Sequence, residues 1–217
     1  MILAPEDKFC MSIAGVDGTE KYRLECPASS GTFFVPEPEP EPVEPRVIGF
    51  SQRDPKWAAI HLGGSSLTMG GSGCAVTSAT MVATLADPTM NPLKMVTYLN
   101  ANNGFTSGGN LYWGKIAEGI PNMRFVNYVK WESVPANMDY VRTTLSYHAQ
   151  AIQVDFKVET VPLDTHFVCA LGFTADGKDI DIIDPWTNTR TTLLKAYALP
   201  GWTLARAIYA LAEYRIG

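Results

Sequence analysis

Thirteen consecutive residues, Cys74–Ala86, carry no charge and read CAVTSATMVATLA. Small or apolar side chains fall on every face of a helix built from them, so that helix has no polar face to turn to water. It must be a buried central helix, because it is well short of the roughly 20 apolar residues that cross a membrane. Asp87-Pro88 stops it. A Gly/Ser-rich loop, Gly63–Gly73, runs directly into its first residue, Cys74.

Residues 36–45, Pro-Glu-Pro-Glu-Pro-Glu-Pro-Val-Glu-Pro, are the clearest boundary in the chain. Alternating proline favours polyproline II, and the like charges stiffen it further. At about 3.1 Å per residue this linker predicts a semi-rigid rod of roughly 30 Å. It separates residues 1–35 from a domain at 46–217. The short piece is too small for an independent core. Strands are expected at Lys21–Glu25 and Thr32–Val35; Cys10 and Cys26 could bridge, but with no secretory signal free thiols are the expectation. The piece reads as a docking segment for a protein partner.

The chain has 217 residues, long enough to bury a core without disulfides or metal. Its formal charge is −5, and four of the acids, Glu37, Glu39, Glu41 and Glu44, sit in the linker. The folding part is therefore nearly neutral, which argues against a nucleic-acid partner. No apolar run is long enough for membrane insertion. Glu6, Asp7 and Lys8 stand where a secretory signal would have its apolar stretch, so no signal is expected. Four scattered cysteines and three distant histidines give no zinc spacing. No metal or cofactor is expected.

The domain opens with an expected strand, Val47–Phe50. Helices are expected at Cys74–Ala86, Pro92–Asn100, Leu111–Glu118 and Asp139–Tyr147. Strands are then expected at Ala151–Val158, His166–Phe173, Ile180–Ile183, Thr191–Leu194 and Arg206–Glu213, with Asp176-Gly177 as a hairpin turn. Helices first and an antiparallel sheet second is the pattern of an α+β fold.

Cys74 opens the buried helix, where unpaired N–H groups and the helix dipole favour an anion, here a thiolate. The small residues before it let another backbone come close. A free cysteine is also among the most often buried and inert residues, so position alone does not decide its role. His166 opens an apolar strand and can carry a proton between a thiol and a leaving group. Asp184 continues the apolar face of Ile180 and Ile182, where a lone carboxylate needs a partner. The hairpin through residues 173–180 makes the two strands neighbours, so an imidazole N–H from His166 would serve and would fix the tautomer. Gln52 follows the first strand, and its amide can donate to a developing oxyanion; taken alone it reads as an exposed loop residue. His61 and His148 read as surface residues.

Four segments then fall in order: Ser51-Gln52-Arg53-Asp54-Pro55-Lys56-Trp57, Gly71-Ser72-Gly73-Cys74-Ala75-Val76-Thr77-Ser78, His166-Phe167-Val168 and Asp184-Pro185-Trp186. Together they resemble the bacteriocin-leader-processing (double-glycine) cysteine peptidases, in their stand-alone branch, over residues 46–215. The resemblance implies a papain-like fold, with Cys74 as nucleophile, His166 as base and then acid, and Asp184 as orienter of the histidine. It also implies Gln52 and the Cys74 N–H as oxyanion donors. Ala75 stands where the family often has Gly. No ATP-binding loop and no transporter accompany the segments, so the double-glycine specificity is not carried over.

Two functions are therefore expected. The first is a peptidase or amidase acting on a peptide or a cell-wall peptide through a thioester. Its acidic linker and small N-terminal piece suit a catalytic head tethered to a phage particle or a cell-surface assembly. The second is an inactive papain-like module binding peptide or glycan in a groove lined by Trp57, Trp113, Trp131, Trp186 and Trp202. A serine hydrolase is a poor third, because Gly70-Gly71-Ser72-Gly73 is followed by Cys rather than Gly.

Overall fold

The structure is a computed structural model that describes residues 11–14, 20–24 and 46–217, apart from 132–133 and 159–160. The chain divides into two compact units, Met1–Val43 and Glu44–Gly217. In the first, β1 (Met11–Ala14) pairs antiparallel with β2 (Glu20–Leu24). The strand expected at Lys21–Glu25 thus falls on β2, and β1 was not anticipated. Thr32–Val35, Cys10, Cys26 and the linker lie outside the described residues.

The second unit is α+β. Its helical part contains α1 (Met69–Ser72), α2 (Cys74–Ala83), α3 (Pro92–Ala101) and α4 (Trp113–Glu118). A six-stranded antiparallel sheet follows, formed by β3 (Met123–Lys130), β4 (Gln150–Val158), β5 (Val161–Phe173), β6 (Ile180–Asp184), β7 (Thr189–Thr192) and β8 (Ile208–Ile216). The strand order is β3-β8-β4-β5-β6-β7. Helices α5 (Met138–Leu145), α6 (Leu193–Tyr197) and α7 (Leu204–Ala207) interrupt the strand sequence.

Both faces of the sheet are covered. On one, Val76, Ala79, Val82 and Ala83 of α2 pack with Met95 and Leu99 of α3 against Ala151, Cys169, Ala212 and Tyr214. On the other, Val141 and Leu145 of α5, Leu193 of α6 and Leu204 of α7 cover Ile152, Val154, Val168, Ala170 and Ile182. Two-sided burial explains why the central strands read as nearly continuous apolar runs. It also explains α2, whose residues from Val76 to Ala83 are all buried. Inside that helix Thr80 returns its hydroxyl to Val76 O at 2.7 Å, so a polar side chain sits there with its donor satisfied.

Several expected elements differ. Val47–Phe50 is not a strand. Its polar groups are taken by side chains, Ile48 N donating to Thr84 Oγ1 at 3.0 Å and Arg190 Nη2 to Val47 O at 3.4 Å. The expected strand Thr191–Leu194 ends at Thr192 and becomes α6. Asp179 Oδ1 accepts from Leu194 N at 3.0 Å and helps hold that helix start. Arg206 lies in α7, and the last strand starts at Ile208. α2 ends at Ala83, before the expected Ala86, and turns out through Thr84.

Candidate active site

The loop before α2 is tightly built. Thr68 caps α1 by accepting from Gly71 N, and α1 breaks at Gly73. A Cβ on Gly73 would lie 2.4 Å from Met69 O and 2.8 Å from Met69 Cα, so only glycine fits the junction. A Cβ on Gly70 would press on Ala58 at 3.0 Å. These two glycines therefore serve internal packing; Gly71 is the exposed one of the three. The first backbone bond into α2 runs from Thr77 N to Gly73 O at 2.9 Å. The N–H groups of Cys74, Ala75 and Val76 are left as the free first turn of the helix.

Gln52 acts on the same junction. It is 1% exposed, which corrects the reading of an exposed loop residue. Its Nε2 donates to Gly70 O at 3.2 Å, the carbonyl that Cys74 N–H would use in an unbroken helix. One Nε2 hydrogen is engaged there and the second is not. The backbone N of Gln52 donates to Pro185 O at 2.6 Å, and Ser51 Oγ donates to Trp186 O at 3.3 Å. The Arg53 guanidinium lies 4.7 Å from the Trp186 ring centre. The Gln52 loop is thus tied to the residues that follow Asp184.

His166 is the sixth residue of a 13-residue strand rather than the first residue of one, which corrects the expected strand end. Its functional equivalent of an end comes from its neighbour. β5 pairs with β6 only from Cys169 to Phe173, so His166 lies beyond the last pair, beside the end of β6. Asp184 is the final residue of β6. Its Oδ1 receives His166 Nε2 at 3.0 Å and Trp186 N at 2.7 Å. Its Oδ2 receives Tyr197 OH at 2.9 Å. The side chains of His166 and Asp184 are 12% and 15% exposed.

Cys74 is close enough to the imidazole to act on its titration. Burial works to lower the His166 pKa, but the bonds to Asp184 and Cys74 and their charges outweigh it and raise it to about 9. Burial likewise works against the Asp184 carboxylate, yet donation from His166, Trp186 and Tyr197 holds it below the usual carboxylate range. Cys74, His166, Asp184 and the Gln52 loop therefore converge at one end of α2.

A cleft of about 600 Å³ opens beside Cys74. Its walls include Ser72, Ala75, Phe105, Trp113, Tyr128 and Phe167. Trp113 stacks on Tyr128 with centroids 5.1 Å apart and tilts against Phe167 at 5.0 Å. Of the five tryptophans expected to line a groove, only Trp113 does so. Trp57 is buried, donating Nε1 to Ser51 O at 2.8 Å, while Trp131 and Trp202 pack under the opposite face of the sheet and Trp186 is exposed.

The other cysteine and histidines stay apart from this site. Cys169 is fully buried, and burial pushes its thiol up to about 12. His61 is exposed. His148 is half-buried rather than a surface residue, its Nδ1 lies 2.9 Å from Ala149 O, and burial lowers its pKa. Among the described residues no group of three His, Cys, Asp or Glu side chains is placed to hold a metal.

Tyr197 is the site residue that sequence reasoning missed. Only Leu193 and Leu194 of Leu-Leu-Lys-Ala-Tyr fall in the strand expected at Thr191–Leu194, and no spacing links Tyr197 to Asp184. The segment's good helix formers after Thr192 were the available signal. Compared with protein-family models and with curated proteins, the chain matches none of either.

Proposed function

We propose that this chain is a papain-like cysteine peptidase or amidase. The observation that carries the reading is one imidazole hydrogen-bonded to a partly buried carboxylate and close to a thiol at the start of a central helix. A helix beginning at the cysteine, packed on an antiparallel sheet whose adjacent strands supply the histidine and the aspartate, supports the papain-like assignment. The order of the four segments that carry these residues, quoted for the family resemblance, supports it as well.

In this reading Cys74 gives its proton to His166, and Asp184 stabilises the resulting imidazolium. The Cys74 thiolate attacks the scissile carbonyl carbon, forming the C–S bond and an oxyanion. The free hydrogen of Gln52 Nε2 and the Cys74 N–H donate to that oxygen. As the C–N bond breaks, His166 returns its proton to the leaving amine. Water, deprotonated by His166, then attacks the thioester; the C–S bond breaks and the acid product leaves. The aromatic walls of the cleft bind apolar parts of a peptide or cell-wall peptide. Residues 1–35 and the acidic linker tether the catalytic head to a larger assembly.

The same aromatic cleft favours the second reading, a binding module without turnover. The test is incubation of the full chain with a denatured protein mixture and with purified peptidoglycan, and mass spectrometry of the new termini. Cleavage by the parent protein and none by Cys74→Ala supports the peptidase. No cleavage of either material, with equal retention of parent and Cys74→Ala on one of them, supports the module.

A further inference from the structure

We infer that Tyr197 is a positioning residue: its hydroxyl locks the rotation of Asp184, its ring walls the imidazole of His166, and together they hold the orientation in which His166 serves Cys74. This rests on the reading of Cys74 and His166 as a reacting pair.

The hydrogen bonds at Asp184 are unequally placed. His166 Nε2 and the Trp186 N–H both reach Oδ1. Two bonds to one oxygen form a hinge, about which the carboxylate can still pivot. The bond from Tyr197 OH at 2.9 Å is the one that reaches Oδ2, and it stops the pivot. The Asp184 side chain is only 15% exposed, so little water can replace that donor. Without it, Oδ2 is a desolvated acceptor with nothing to accept, a costly state for a charged group. The carboxylate then turns toward solvent or takes up a proton. Either change breaks the line from Oδ1 to His166.

The ring of Tyr197 adds a second restraint. Its centroid lies 5.7 Å from that of His166, at an interplanar angle of 46°. Tyr197 belongs to α6, which covers the opposite sheet face from α2. The imidazole is thus held between Cys74 from one layer and Tyr197 from the other. The ionisable groups acting on this unit include Cys74 from α2, Asp184 from β6 and Tyr197 from α6. Burial and the Asp184 charge raise the Tyr197 pKa, so its hydroxyl remains a donor at neutral pH and moves no proton in the reaction.

The test compares the full chain with Tyr197→Phe and Tyr197→Leu. His166 is titrated by NMR on histidine-labelled protein, Cys74 alkylation is followed at pH 6, and thermal melting reports folding. Tyr197→Phe keeps the ring and removes only the hydroxyl. It is expected to melt near the parent, to lower the His166 midpoint by roughly one pH unit and to slow alkylation about tenfold. Tyr197→Leu is expected to do the same and to melt lower. A Tyr197→Phe variant that titrates and alkylates like the parent overturns the inference, whether or not Tyr197→Leu is impaired. If Cys74 of the parent reacts only as a free thiol, the reacting pair is refuted. The His166 titrations then still decide whether Tyr197 holds the imidazole.

Discussion

Replacing Asp184 with Asn keeps the shape of the side chain and removes its charge. The pKa of His166 stands at about 9 against an ordinary 6.5, which at about 1.4 kcal/mol per pH unit is a net preference for imidazolium of about 3 kcal/mol. That preference survives burial, and two partners supply it, Asp184 and Cys74. If Asp184 provides half or more, the variant loses about 1.5–3 kcal/mol and the His166 midpoint falls to between about 7 and 8. The sign for stability follows. A raised pKa stabilises the fold fully below pH 6.5 and ceases to do so as pH rises through about 9. The parent should therefore exceed the variant most at pH 6, and the gap should narrow by pH 9. NMR titration of His166 and urea unfolding at several pH values measure the two effects. The Asn amide can also turn its NH₂ toward Nε2 and favour the wrong tautomer, so turnover should fall about 10²- to 10⁴-fold. A midpoint that stays near 9, or a stability gap that does not change with pH, would refute the reasoning.

Three other perturbations probe separate parts of the site. Gly73→Ala forces a Cβ against the Met69 carbonyl; a loss of about 1–3 kcal/mol in urea unfolding is expected, along with slower Cys74 alkylation, because the α1–α2 junction must shift. If the Gln52 amide donates to the oxyanion as proposed, Gln52→Ala should lower kcat about 10²- to 10³-fold while the pH dependence of Cys74 alkylation stays in place. In Trp113→Ala the stacked wall of the cleft collapses, and the expected result with an apolar peptide is a several-fold higher KM at nearly constant kcat.

The parts of the fold legible in the sequence are those in which a local signal and the tertiary environment agree. The uncharged run from Cys74 is one, because burial on every side leaves its mark on every residue. The Asn91 cap with Pro92 behind it is another, and α3 starts there with Asn91 accepting from Lys94 N. The Asp176-Gly177 turn is a third, and it is what makes β5 and β6 neighbours. β3 left no such signal. It is an edge strand paired only with β8, half exposed, and the register shift between Phe125 and Asn127 breaks its alternation. Val47–Phe50 failed in the other direction: Val47 and Phe50 pack on the core, but side chains satisfy its backbone.

The same division holds at the site. His166 and Asp184 were linked by topology alone, since a hairpin fixes which strands are adjacent, and they meet at 3.0 Å. Gln52 was identified by residue type, but its burial and its hold on Gly70 depend on residues 18 positions away. Tyr197 reaches Asp184 only because α6 folds back under the sheet, an event that the local sequence does not announce.

The most direct measurement is the rate of Cys74 alkylation by iodoacetamide from pH 5 to pH 10, each cysteine read separately by mass spectrometry, in the parent and in His166→Ala. Cys169 is an internal control, buried and with its thiol pushed up to about 12. A thiolate–imidazolium pair predicts rapid Cys74 modification near pH 6, well below the ordinary thiol midpoint of about 8.5, and loss of that reactivity in His166→Ala. A Cys74 that reacts only near the ordinary midpoint, or equally fast without His166, would contradict it.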